Sequence, residues 1–301
     1  MKKKKIALFL IINFIISWVI GFTGLFIGIQ VFTNSYLILA VFYMFIPAIS
    51  AVIVQKYIYN EKIIKPFGIS FKINKWFLIA WLLPLVIAFS SLGIALLLPN
   101  VSYSPNMEGF LTQYKNILST EQFFQLKNQL LNSNIPVVIL ITFQALLAGI
   151  TVNAFAGLGE EIGWRGFLQN ELSSLGFWKS SSLIGLIWGV WHTPLILMGH
   201  NYPNNPFLGI FIMTLIGIFL GPIFSFIRIK SRSVVAAGIC HGTFNAGLSL
   251  STLFLKGGSN LFIGMTGVSG LVILFILNLM IYTYLKTTND SIIVSENEVR
   301  I

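Results

Sequence analysis

Residues 157–167 read Gly157-Leu158-Gly159-Glu160-Glu161-Ile162-Gly163-Trp164-Arg165-Gly166-Phe167, and they close an apolar run that begins near Pro136. Two acids and a guanidinium at the end of a run long enough to enter a bilayer are costly there, so such groups face one another or a watered cavity. Two further polar points interrupt equally apolar stretches: His192, and His241 with Asn245. The chain around them is 301 residues long, 56% hydrophobic and 9% charged, with a mean hydropathy of +0.85. A soluble domain averages roughly 25% charged residues, so this composition is that of an integral, multi-pass membrane protein.

A helical crossing takes about 20 apolar residues, and eight such runs lie near 6–31, 36–55, 76–98, 136–157, 180–199, 208–227, 233–255 and 261–285. The expected fold is an all-α, polytopic membrane helical bundle of about eight transmembrane helices, forming a single domain over 1–301. The net charge of +10 could point to nucleic acid. Its distribution points elsewhere: if the runs alternate from a cytoplasmic N-terminus, sixteen lysines and arginines fall on the cytoplasmic side. Three, Lys115, Lys127 and Lys256, fall outside. That split follows the positive-inside rule, placing both termini in the cytoplasm and removing the case for a nucleic-acid partner. Lys2 to Lys5 followed by an apolar run resembles a signal peptide, but the run is too long and lacks a clear cleavage site; it is read as a retained first helix. On the outside, Ser119-Thr120-Glu121-Gln122 has the pattern of a capping box opening a short helix.

The polar groups sort by face. Glu161 and Arg165 are four apart, in the order that favours an ion pair on one helix, and an acid committed to a guanidinium is a poor proton shuttle. Glu160 points elsewhere and is the better general base. With Gly176 as the turn of a helical hairpin, Glu160 lies 16 residues before it and His192 16 after, so the two reach the same level, roughly 20 Å from the turn. His241 lies 9 residues beyond Arg232, which brings it into the same half of the bundle. His241 and Asn245 share a face; they could hold a metal, stabilise an oxyanion or link helices. Cys240 points about 100° away from His241 on a helix and is read as a small packed residue. His200, in an outside loop with Asn201 and Pro203, is expected to face solvent. From Pro136 to about Ser174 a continuous helix would run roughly 58 Å at 1.5 Å per residue, so it must tilt, bend at the glycines, or pass below the membrane plane.

Glu160-Glu161-x-x-x-Arg165-Gly166, then Trp188-x-x-x-His192, then His241-x-x-x-Asn245 resemble three ordered motifs of the CPBP family. These are the CAAX proteases and bacteriocin-processing enzymes, also called Abi, and they include the type II CAAX prenyl endopeptidases. The resemblance covers about residues 136–255, and Trp188 stands where the family often has Phe, which keeps an aromatic wall. It implies intramembrane endopeptidase activity near the cytoplasmic face. Glu160 would activate a water with His192, His241 and Asn245 would stabilise the oxyanion, and Glu161, Arg165 and Trp188 would support them.

Glu160, His192 and His241 could also form the one-carboxylate, two-histidine set of a catalytic zinc. Glu160 as a ligand would leave the site in need of another base, and the chain lacks a His-Glu-x-x-His helix. The preferred reading is a glutamate-activated water with no obligatory cofactor, Zn²⁺ being the alternative. The partners expected are a peptide or membrane-protein substrate and the lipid bilayer; the sequence gives no signal of oligomeric state. A composition rich in Lys, Ile, Asn and Phe suggests an AT-rich genome and a bacterial plasma membrane. The competing functions are a transporter and a non-enzymatic membrane immunity or partner protein.

Overall fold

An apolar chain in a bilayer has to satisfy its backbone N–H and C=O groups internally, which drives runs of this hydropathy into helices. The computed structural model describes residues 2–31, 33–114 and 119–288; Lys115 and Arg300 of the charge count lie outside the described residues. Helix α1 is Lys2–Phe26, α2 is Asn34–Val52 with a π-helical continuation Ile53–Ile58, and α3 is Lys75–Ala95. The long connection that follows carries β1 (Val101–Tyr103), α4 (Glu108–Tyr114) and α5 (Thr120–Leu131). Next come α6 (Val137–Ile150), α7 (Val152–Glu161), a π-helical turn Ile162–Leu168 and the single-turn α8 (Gln169–Glu171). The chain ends with α9 (Phe177–Trp191), α10 (Thr193–Leu197), α11 (Pro206–Ser231), α12 (Val234–Gly247), β2 (Leu255–Gly257) and α13 (Val268–Thr287). The result is an all-α polytopic membrane bundle with one antiparallel ribbon, Ser102 facing Lys256.

The eight apolar runs do not become eight long spans. Five helices, α1, α2, α3, α11 and α13, are long and apolar enough to cross a membrane, and α6 with α7–α8, bent by 47°, makes a sixth. The two remaining runs form shorter helices, α9 of 15 residues and α12 of 14. α9 breaks at His192, ahead of Pro194 at the start of α10, and α12 gives way at Gly247 to a 3₁₀ turn. Both pack against helices along much of their length, and irregular backbone at membrane depth is tolerated where protein covers it.

The eight runs nevertheless alternate between two ends of the bundle. At one end Lys5 bridges Glu61 and Glu171 at 2.5 and 3.2 Å, Asn74 donates to the Ser231 carbonyl at 2.9 Å, and Trp178 and Phe226 pack on Tyr282 and Tyr284. The start of α1 and the end of α13 therefore share a side. At the other end lie the β ribbon, the Tyr202 hydroxyl bonded to the Thr266 carbonyl at 2.5 Å, and Tyr36 bonded to His200 Nδ1 at 2.8 Å. His200 is half-buried and stacked on Tyr36 rather than facing solvent. The capping box at Ser119 and Gln122 is present and opens α5.

Of the three routes open to the long motif helix it takes a bend, but not at its glycines. The break is at Thr151, whose φ of −118° and ψ of −105° leave the helical region, while Thr151 Oγ1 donates back to the Leu147 carbonyl at 2.7 Å. The glycines serve close approach instead. A Cβ on Gly242 would meet the backbone of Asn153 and Ala154, and one on Gly159 the backbone of Met44 and Phe45. On α9, Gly185 and Gly189 stack against Gly217 and Thr214 of α11, a small-xxx-small seam in which backbones touch. Gly185→Leu or Gly217→Leu is expected to lower stability by about 1–3 kcal/mol through overpacking. Thermal melting in detergent checks this, with the exposed Leu186→Ala as the near-silent control.

Candidate active site

Glu160 and Glu161 occupy the last turn of α7, and the helix then widens into the π-helical turn that carries Trp164 and Arg165. Such bulges recur at functional sites because they redirect side chains without ending the helix. α12 delivers His241 against this turn, since Gly238 and Gly242 let its backbone lie directly on α7. α9 supplies Trp188 and, as its C-cap, His192. All four titratable groups and the arginine are sequestered: Glu161 is 0%, Arg165 1%, Glu160 2%, His241 3% and His192 6% exposed.

The bonding pattern divides them. Glu161 Oε1 accepts from Arg165 Nη1 at 3.1 Å and from His241 Nδ1 at 2.9 Å. The expected ion pair is thus present, and it holds a third partner that face analysis did not reveal. The Arg165 guanidinium lies over the rings of Trp188 and Phe224, with Cζ 4.9 and 5.1 Å from their centroids. Glu160 Oε2 accepts from the Trp188 indole at 2.6 Å, and its Oε1 stands 4.0 Å from His241 Nε2. Trp188 is therefore more than an aromatic wall. Its indole N–H holds Glu160 while its backbone carbonyl faces His192 Nδ1 at 2.8 Å, so one residue links the two groups that the spacing about Gly176 set level. Asn245, one turn beyond His241, is half-buried and has no side-chain hydrogen bond among the described residues.

These partners fix the imidazole tautomers. A carbonyl and a carboxylate both accept, so Nδ1 must be the protonated nitrogen of His192 and of His241 in these two bonds. The His241 ring consequently turns Nε2 toward Glu160, 4.0 Å from its Oε1. Phe224, whose ring lies 5.5 Å from that of His241, was not legible from the sequence, where it is one more phenylalanine in an apolar helix.

Among the described residues no three His, Cys, Asp or Glu side chains converge closely enough to hold a metal ion. Of the three candidates Glu160, His192 and His241, each already commits one atom to a protein partner. As arranged, they do not form a three-donor site.

Fold and site together define a polytopic membrane protein with a buried carboxylate–imidazole centre at the junction of α7, α9 and α12. Residues 142–247 match the family model described as Type II CAAX prenyl endopeptidase Rce1-like. The chain is also similar to CAAX prenyl protease 2 of Methanococcus maripaludis, 34% identical over 95 residues, which are 29% of this chain and 34% of that protein. The chain thus aligns with about a third of that relative's length. The two findings support the CPBP/CAAX protease family, on the segment that contains all three polar clusters.

Removing one member of a fully buried ion pair strands the other, a loss of about 3–5 kcal/mol. Glu161→Gln and Arg165→Leu are each expected to lower the thermal midpoint, with the double variant losing less than the sum of the two. A double-mutant cycle measured by thermal melting reads this coupling; additive losses would contradict the network.

Proposed function

We propose that this chain is an intramembrane endopeptidase that hydrolyses a peptide bond of a membrane-associated peptide or protein near the cytoplasmic face. The observation that carries the reading is Glu160, buried in a membrane bundle, held by Trp188 and facing His241 Nε2 across 4.0 Å. A single water oxygen can bridge such a gap. In this reading Glu160 takes a proton from that water, assisted by His192 through its lone-pair Nε2, and the hydroxide attacks the scissile carbonyl carbon. The carbonyl oxygen becomes an oxyanion, stabilised by the Asn245 amide and by His241 entering the step as the imidazolium, Nδ1–H on Glu161 and Nε2–H toward the oxyanion; donors of this kind are worth about 3–4 kcal/mol. The C–N bond then breaks as the proton held by Glu160 passes to the leaving amine. Glu161 and Arg165 take no proton; they keep His241 oriented.

The lysine-rich end of the bundle is cytoplasmic in this reading, following the positive-inside rule, and the membrane is a bacterial plasma membrane, as the composition suggests. The name of the relative points to the CAAX prenyl proteases, and peptide-bond hydrolysis is the chemistry carried over to this chain. No metal is assigned a step. If Zn²⁺ were resident, it would act as a Lewis acid on the carbonyl or water.

Glu160→Gln keeps the size of the side chain and removes the base. Cleavage is expected to fall by about 10²–10⁴-fold, the usual worth of general acid–base catalysis. Comparative peptidomics of cells carrying the intact protein or Glu160→Gln would identify the peptides lost; identical profiles would favour the non-enzymatic reading. Purified protein assayed with and without chelator, alongside elemental analysis, is expected to retain cleavage. Stoichiometric zinc whose removal abolishes cleavage would overturn the metal-free step.

A further inference from the structure

His192 sits at a break. α9 ends at Trp191 and α10 begins at Thr193, and the last carbonyls of a helix have no intrahelical partner. Here each of the four finds one. The Trp188 carbonyl faces His192 Nδ1 at 2.8 Å, the Gly189 carbonyl accepts from the His192 backbone N–H at 3.2 Å, and the Val190 carbonyl accepts from Thr193 Oγ1 at 2.7 Å. The fourth, that of Trp191, is taken by a distant residue: the Tyr43 hydroxyl of α2 donates to it at 2.8 Å. The indole of the same Trp191 donates to Ser17 Oγ of α1 at 2.8 Å.

Trp191 is thus held at both its backbone and its side chain by two helices that lie outside the segment 142–247 matched by the family model. Tyr43, Ser17 and Trp191 are all 0% exposed. The Tyr43 and Trp191 rings lie 4.4 Å apart, and the Trp191 ring stands edge-on to the His192 imidazole at 4.9 Å and 84°. Gly21 of α1, one turn beyond Ser17, closes the contact, since a Cβ there would meet Pro194 and Tyr43. The clamp reaches residues 191–194 and bears on the ring of His192 through Trp191.

We infer that Tyr43 and Ser17 are positioning residues that fix the ring orientation and tautomer of His192 through Trp191, so that the N-terminal helices α1 and α2 complete the site built by the matched segment. The inference rests on the reading of His192 as a member of the hydrolytic site. Tyr43→Phe keeps the ring and deletes the hydroxyl that holds the carbonyl. Ser17→Ala deletes the acceptor of the indole N–H, and Ser17→Thr restores it.

The chain has three histidines, so the full-length protein labelled with [¹⁵N]histidine in detergent gives three imidazole systems, which His200→Gln and His241→Gln assign by subtraction. In the intact protein His192 is expected to show one species protonated at Nδ1. In Tyr43→Phe with Ser17→Ala that signal is expected to split or be lost, with helix content by far-UV circular dichroism unchanged, and Ser17→Thr is expected to retain the intact pattern. If Tyr43→Phe does not fold, Ser17→Ala against Ser17→Thr makes the same comparison. An unaltered His192 signal in the Ala variant overturns the proposal, as does a Thr variant that behaves like Ala. No substrate enters the measurement, so a negative result here and an unchanged peptide profile for Glu160→Gln are separate outcomes.

Discussion

Charge buried in hydrocarbon needs a partner, and in this protein one carboxylate oxygen supplies it to two groups at once. Glu161 Oε1 receives both the Arg165 guanidinium and the His241 imidazole, joining the π-helical turn to α12. The arginine then lies on Trp188 and Phe224, which draws in α9 and α11. Four elements therefore meet around one ionic junction. An unpaired charge at this depth would cost several kcal/mol, so the arrangement is held by a penalty for leaving it as much as by attraction. Glu160, one residue earlier, is outside that junction. It is restrained by a single indole N–H and keeps an oxygen free toward His241.

The surrounding packing serves this junction in a particular way. Lipid tails offer helices no hydrophobic reason to associate, so close association depends on small residues and van der Waals contact. Gly159, Gly238 and Gly242 let α2, α7 and α12 approach backbone to backbone, which brings short side chains such as Glu and His within bonding reach. Aromatic rings fill what the glycines leave: Trp164 stands edge-on to Phe9 and Trp191, and Trp188 and Phe224 flank His241. The centre is walled by aromatics, with Glu160 and His241 facing each other between them.

Much of this was legible because it leaves periodic marks. Hydropathy located all eight runs, the i,i+4 spacing announced the Glu161–Arg165 pair, and spacing about Gly176 brought the Glu160 and His192 helices together, where Trp188 bonds to both. What was missed leaves no such mark. The break at Thr151 looks like any threonine in an apolar run, and the glycines, one of three ways open for the long helix to fit, are used for contact instead. Two of the eight runs fall short of full spans, because hydropathy measures apolarity and cannot tell a helix facing lipid from one packed among its neighbours. The contacts from Ser17 and Tyr43 to Trp191 join residues about 150 or more apart in the chain. The bond from Trp188 to Glu160 depends on the indole edge that faces the acid, which is settled by tertiary packing.

The order of the helices along the chain carries a temporal consequence. A membrane protein emerges from the ribosome N-terminus first, so α1 and α2 are made before the motif helix they embrace, and Glu160 and His192 follow into a scaffold already waiting. His241 and Asn245 arrive only with α12, ahead of α13 alone among the described helices. Until then Glu161 and Arg165 have each other, but Glu160 has no imidazole opposite it. In the proposed mechanism a nascent chain with an incomplete centre is chemically idle, so assembly is itself a safeguard: the constellation exists only once nearly all the described helices have been threaded into the bilayer.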